Sequence, residues 1–334
     1  MGGKSLGVIM TDGAQWTGQR NFTVKQLKNF GFGKKDLEGV IVEEARDLVE
    51  YIESLGDIVQ VNDSLFAVPV LNVLWNMVVG YSLNRDDEEM KSLLKLITYV
   101  FTSKIFVVAM AAPWVRFVFP SLTGYNKRLD ALKGMRNHIQ KEIEKHELDL
   151  DEQNPRDFID SYLIEIKNNP DTEFCKEQLV MIGMDLMGAG SETSSTTLMW
   201  VILYLVLNPD VQEKCYKEIE DQIGESSVRV EDTGKLNFCQ ATIAEIQRVS
   251  EVAVSSLQHR VTEEVIAYGA AIESIDFLIQ VTLPSGHVIP EGSLAMSNIK
   301  KFLSDPLLWD NPSKFTPERL NKKLLKSNIL YSFF

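Results

Sequence analysis

The chain has 334 residues and carries 34 Lys and Arg against 47 Asp and Glu, a formal net charge of −13. That acidic balance excludes nucleic acid as a partner, since no cationic surplus exists to neutralise phosphates. Hydrophobic content of 45% and charged content of 24% are those of an ordinary globular protein, long enough for one large domain or two ordinary ones.

Three cysteines, Cys175, Cys215 and Cys239, lie far apart without C-x-x-C spacing. They point to a reducing compartment and to packing or surface roles, with no disulfide framework. The glycine-rich start, Met1 to Gly7, reads as neither a signal peptide nor a membrane span.

Helical periodicity dominates the first two thirds. Helices are expected over Gln15 to Phe30, over Lys35 to Leu55 with Gly56 as its stop, over Ser64 to Leu83, over Asp86 to Lys104 and over Tyr125 to Glu147. Between the last two, Ile105 to Phe119 is strongly apolar, yet Pro113 and Arg116 interrupt it and it is short for a span. It either lies on a membrane surface through Trp114, Phe117 and Phe119 or is buried in the core. Asn154-Pro155-Arg156-Asp157 opens another helix that ends near Asn168-Asn169-Pro170.

A long helix then runs from about Glu173 to Leu207. It is apolar on nearly all sides, so it should cross the centre of a helical domain. Gly188-Ala189-Gly190-Ser191-Glu192-Thr193 interrupts that pattern. Each Gly costs roughly 1 kcal/mol against Ala in a helix interior, and a buried unpaired Glu costs several more. Local rules broken together mark a candidate site. Gly190 opens space beside the backbone, either for a small diatomic ligand or water or for a closely packed second helix. Thr193 is placed to bond back to a carbonyl one turn earlier and bend the helix.

Asp210 to Ile223, stopped by Gly224, and Asn237 to Val252 are the last clear helices. Beyond them Leu257 to Gln280, Val281 to Ile289 and Gly292 to Asn298 read as short strands and turns. The expected fold is mostly α with a small β region near the C-terminus.

Three further constellations stand out. Trp16 and Arg20 share one helix face at i, i+4 and offer an indole N–H and a guanidinium suited to a carboxylate; a cation–π or surface pair is the plainer alternative. Glu245 and Arg248, at i, i+3 on the last helix, are either an exposed pair or, with Arg319 from Pro317-Glu318-Arg319, a buried structural lock. His259 follows that helix. Neither it nor His138, His146 and His287 has ligand spacing, so a hydrogen bond to an anion suits His259 better than a metal.

Taken in order, W-x-x-x-R at Trp16/Arg20, A-G-x-E-T at Ala189 to Thr193, E-x-x-R at Glu245/Arg248 and P-E-R at Pro317 to Arg319 resemble the cytochrome P-450 family of haem-thiolate monooxygenases. The stretches Gly7 to Gly13 and Tyr125-Asn126-Lys127 are similar to microsomal animal members, insect ones in particular. The resemblance covers nearly the whole chain.

It implies haem as cofactor, with Trp16, Arg20 and His259 contacting its propionates and Ala189 and Gly190 lining an oxygen groove. Glu192 and Thr193 would relay protons, and Glu245, Arg248 and Arg319 would form a structural lock. It also implies electrons from NADPH through an NADPH-cytochrome reductase, insertion of one oxygen atom into a small lipophilic substrate, and the cytosolic face of the endoplasmic reticulum membrane.

The family's axial ligand is a Cys in an F-x-x-G-x-R-x-C-x-G loop beyond P-E-R, but here no Cys follows Cys239. The N-terminal anchor is also missing from these residues. The chain is therefore expected to be one partial haem-monooxygenase domain over 1–334, catalytically silent by itself. The alternative is a haem-free helical remnant or binding module. Residues 266–280 depart from the family pattern and read as an insertion or a retained intron.

Overall fold

The computed structural model describes residues 5–32, 35–103, 114, 117, 120–121, 123–170, 172–226, 228–261, 265–267 and 287–320. The chain divides into two compact units, Met1–Met199 and Trp200–Phe334.

Most of the first unit is helical: α1 (Gly13–Asn29), α2 (Lys35–Ser54), α3 (Asp63–Val79), α4 (Glu88–Thr102), α5 (Tyr125–Asp149), α6 (Phe158–Asn168) and most of α7 (Lys176–Leu207). The boundaries follow local chemistry. Asn62 caps α3 by accepting the Ser64 N–H at 3.1 Å. Gly80, at φ +83°, ends it, four residues before the stop read from hydropathy, because a left-handed turn is open to glycine. Asp87 caps α4 through the Glu89 N–H at 2.7 Å, and Asp157 caps α6 through the Asp160 N–H at 2.9 Å.

Met90, Leu93, Ile97 and Val100 bury one stripe of α4, and Ala131, Met135, Ile139 and Ile143 the facing stripe of α5. These pack with Leu71, Trp75 and Val78 of α3 and Leu179, Ile182 and Met187 of α7 in one core.

The first half of α7 is central, as its hydropathy predicts, with Leu179, Ile182 and Met187 fully buried. Its last turns are not: Leu203 is 45% exposed, Val206 67% and Leu207 66%. The expectation of burial along the whole helix is corrected here. Hydropathy reports what a side chain tolerates, and every α7 residue that is buried precedes Trp200.

In the second unit, Pro209 occupies the first turn of α8 (Pro209–Gln222). A 3-10 turn over Val230–Lys235 leads to α9 (Asn237–Ser250). Glu251, at φ +52°, closes α9 just short of the expected end. The β region consists of two antiparallel pairs. β1 (His259–Arg260) pairs with β4 (Leu294–Ala295), His259 opposite Ala295, and β2 (Val265–Ala267) pairs with β3 (His287–Ile289), Ile266 opposite Val288. A short α10 (Ile299–Leu303) and a 3-10 turn over Pro317–Arg319 follow. The molecule is thus mostly α with a small β region.

Ile266 and Ala267, the start of the stretch read as an insertion, belong to β2, while 268–280 lie outside the described residues. Of Ile105 to Phe119 only Trp114 and Phe117 are described, and both are exposed. Among the described residues no helix is long and apolar enough to cross a membrane.

Candidate functional site

α7 runs unbroken through Gly188 to Thr193. The Thr193 hydroxyl donates to the Ala189 carbonyl at 2.7 Å, the back-bond expected from the sequence, and Thr197 repeats it on Thr193 at 2.8 Å. Ala189 and Thr193 are exposed, one turn apart on the same stripe, and Glu192 beside them is half-buried.

The glycines do something different. A Cβ on Gly190 would lie 2.8 Å from Leu74 Cδ1 of α3; one on Gly188 would lie 2.7 Å from the Phe101 ring of α4; one on Gly183 would lie 2.9 Å from Ile139 Cγ2 of α5. Three helices therefore approach α7 through its glycines. Of the two readings of Gly190, the space next to it holds Leu74. The open surface of the motif is the Ala189–Thr193 stripe.

Trp16 and Arg20 stand one turn apart on α1. The indole N–H donates to the Val8 carbonyl at 3.1 Å, and the Arg20 guanidinium lies 5.5 Å from the indole centroid. Arg20 is exposed and has no carboxylate partner among the described residues. In the second unit His259 is exposed on β1.

Glu245 is fully buried. Its Oε2 accepts from Arg248 Nε at 2.8 Å, while Oε1 accepts from Arg248 Nη2 at 2.9 Å, Arg319 Nε at 2.9 Å and the Thr316 N–H at 3.0 Å. Arg248, 2% exposed, also donates to the Leu303 carbonyl at 2.8 Å and lies over the Trp309 ring. Arg319 donates to the carbonyls of Asp310, Asn311 and Lys314. One carboxylate thus joins α9, the segment after α10 and the P-E-R turn, with its lone pairs satisfied. That is the condition under which a buried ion pair holds a fold.

Two polar centres escaped the sequence reading. Asp185 of α7 accepts the Val8 N–H at 2.7 Å and the Ile9 N–H at 3.1 Å on one oxygen, while Gln178 accepts the Gly7 N–H at 2.8 Å. Burial pushes the Asp185 carboxyl up to about 6, against the pull of the two N–H groups. The available signal was a carboxylate inside an apolar helical run, the same signal that singled out Glu192.

His146 ends α5 with Nε2 2.8 Å from Asp157 Oδ2 and Nδ1 2.7 Å from the Glu142 carbonyl. Burial alone would lower its pKa, but Asp157, the Glu142 carbonyl and Asp160 together outweigh burial and leave it raised. His146, Asp157 and Asp160 are the cluster with metal-ligand spacing among the described residues. Its atoms are already spent: Asp157 on the imidazole and the Asp160 N–H, Asp160 on Arg156 at 2.7 and 3.0 Å. It reads as an ion-pair staple between α5 and α6.

A mostly helical fold carrying these motifs in order is what the resemblance leads one to expect, and comparison with known proteins shows the family. The family model described as Cytochrome P450 matches residues 1–333. The chain is 32% identical over 326 residues to cytochrome P450 2J2 of Homo sapiens, covering 94% of this chain and 60% of that protein. It is 30% identical over 326 residues to cytochrome P450 2U1 of Homo sapiens, covering 95% and 56%. With farnesoate epoxidase of Bombyx mori it shares 28% identity over 336 residues, covering 98% and 63%. The chain belongs to the cytochrome P450 family and spans less than two thirds of the length of these relatives.

The family implies haem, whose carboxylates need cationic donors. Arg20, exposed in the first unit, fits that need; His259, exposed in the second, offers a ring N–H. The Trp16 N–H is already donated to Val8, so Trp16 fits as the support beneath Arg20. Cys175 precedes α7, and Cys215 and Cys239 lie on α8 and α9. None stands in a loop of the family's axial-ligand form.

Proposed function

We propose that this chain is the oxygen-side portion of a monooxygenase that inserts one atom of dioxygen into a small lipophilic substrate, with electrons from NADPH through a reductase at the cytosolic face of the endoplasmic reticulum. The observation that carries the reading is the Thr193 hydroxyl fixed by the Ala189 carbonyl on the open stripe of α7. Haem, when bound, supplies the iron at which dioxygen is reduced and its O–O bond cleaved.

The residues of the chain hold and move protons around that chemistry. Thr193 Oγ1, its own proton committed to Ala189, keeps its lone pairs for an incoming proton, and Glu192, one residue before, is the acid that brings protons in from solvent. In the first unit Arg20, braced by Trp16, holds a haem carboxylate while Ala189 lines the groove and Gly190 gives the space beside it to Leu74. His259 is the corresponding donor in the second. Glu245, Arg248 and Arg319 keep the second unit folded. Substrate class follows the family: hormone precursors, fatty acids and xenobiotics all fit, and the Bombyx mori relative takes farnesoate by its name.

Since none of the three cysteines is placed as an axial ligand, these 334 residues are catalytically silent by themselves. The test is a ferrous–CO spectrum of the purified chain after haem loading. No thiolate-type Soret band is expected, and its appearance overturns the silence.

A second reading is a haem-free helical remnant or binding module, favoured by the exposed Leu203, Val206 and Leu207. Haem retention through gel filtration separates the two. The first reading expects retention that falls in Arg20→Ala; the second expects none.

A further inference from the structure

Cys215 and Cys239, read from sequence as packing or surface residues, meet across the α8–α9 contact. The Cys239 thiol donates to the Cys215 carbonyl oxygen at 3.6 Å. The Cys215 thiol is 3.4 Å from Thr242 Oγ1, one turn beyond Cys239 on α9. Glu218 fixes this juxtaposition, its two carboxylate oxygens accepting the Phe238 N–H at 2.9 Å and the Cys239 N–H at 2.8 Å. Both cysteines are free thiols and half-buried.

The pair is chemically polarised. The neighbouring Cys239 side chain pulls the Cys215 thiol down to about 7, which leaves a large share of nucleophilic thiolate at neutral pH. The Cys239 thiol is pushed up by the same contact, by burial and by Glu218, and so keeps its proton.

We propose that Cys215 and Cys239 form a reversible redox pair, oxidised by hydrogen peroxide to an intramolecular disulfide that ties α8 to α9. The Cys215 thiolate attacks one peroxide oxygen. The O–O bond breaks, giving a sulfenic acid on Cys215 and hydroxide, which takes up the proton Cys215 had released and becomes water. The Cys239 sulfur then attacks the Cys215 sulfur. An S–S bond forms, the S–O bond breaks, and the hydroxyl leaves with the Cys239 proton as a second water. Two thiols lose two electrons and one peroxide gains them. The link closes on the first turn of α9, the helix that carries Glu245 and Arg248 to the lock. The proposal stands independently of the monooxygenase reading.

The test uses the reduced 334-residue chain treated with hydrogen peroxide, alkylated after denaturation and digested with trypsin. The expected product has lost the mass of two hydrogens, keeps one alkylatable thiol, Cys175, and yields a linked pair of peptides, Cys215–Lys217 with Leu236–Arg248. Dithiothreitol reverses all three changes. Cys215→Ser and Cys239→Ser, each checked for native circular dichroism, give no intramolecular link. Three alkylatable thiols after oxidation, a link through Cys175, or unlinked sulfinic acids at Cys215 and Cys239 overturn the proposal.

Discussion

Glu245→Ala removes the one carboxylate between two guanidiniums while leaving both arginines in place. Four hydrogen bonds of 2.8 to 3.0 Å vanish with it, and Arg248, all but fully buried, keeps its charge without a counter-charge. Breaking a buried pair from one side costs about 3–5 kcal/mol, out of a total stability of about 5–15 kcal/mol for a domain. The second unit is therefore expected to lose about a fifth of its stability or more. Because the chain has two units, a single global transition is not assumed; native-state hydrogen exchange at the α9 amides reads this unit directly.

Glu245→Gln keeps an acceptor for Thr316 or Arg319 but loses the charge, so it should fall between Ala and wild type. Replacing all three groups, Glu245→Leu with Arg248→Met and Arg319→Met, leaves no buried charge and should cost less than the single Ala variant. A loss below about 1 kcal/mol for Glu245→Ala, the range of an exposed pair, would refute the argument.

Gly190→Ala gains about 1 kcal/mol of helix propensity but forces a Cβ to 2.8 Å from Leu74, an overpacking cost of about 1–3 kcal/mol. Adding Leu74→Ala should show a coupling of about 1 kcal/mol or more in a double-mutant cycle, and additive melting shifts would contradict the contact. Asp185, raised to about 6, binds its proton more tightly folded than unfolded. Its contribution is fully present below about pH 4, the unfolded value, and is lost as pH rises through about 6. Asp185→Asn should thus be more stable than wild type by about 1–3 kcal/mol at pH 7.5 and gain nothing at pH 4, which urea titrations at the two pH values test. His146 is raised as well. Its stabilisation is complete below about pH 6.5, the unfolded value, and disappears as pH climbs through the higher folded value. His146→Gln should lose this pH slope in thermal melts; an unchanged slope sinks the staple reading.

The helices of the first unit were legible because their apolar residues recur on one face: Met90, Leu93, Ile97 and Val100 announce α4 unaided. Glu245 and Arg248 were legible as a pair because i, i+3 is a property of the helix itself. Arg319 was legible through P-E-R; the remaining partners were not, because they are main-chain groups: the Thr316 N–H and the carbonyls of Leu303 and Lys314. Residue identity does not advertise such partners. Asp185 was passed over for the same reason, since its partners are two backbone N–H groups 177 and 176 residues away. His146 and Asp157 are 11 residues apart, too far for helical spacing, and meet only because the chain turns between α5 and α6. The exposed end of α7 shows the converse limit: an apolar sequence says that a helix tolerates burial, and its neighbours decide whether burial happens.

Gly188 to Thr193 breaks the rules of a buried helix in two ways, and the structure separates them. Gly188 and Gly190 serve packing, because each receives a side chain from another helix. Thr193 is exposed, and among the described residues its hydroxyl bonds its own helix alone. The two should therefore respond oppositely to substitution. Thr193→Val keeps the shape and removes the hydroxyl from an exposed position, so its stability should stay within about 0.5 kcal/mol of wild type. Gly190→Ala should lose up to about 2 kcal/mol, the overpacking cost less the propensity gained, while leaving the Thr193 hydroxyl untouched. Thermal melts of the two variants side by side decide the matter. If Thr193→Val proves the more damaging, the threonine is a structural residue, and the chemical reason for assigning it proton delivery falls with it.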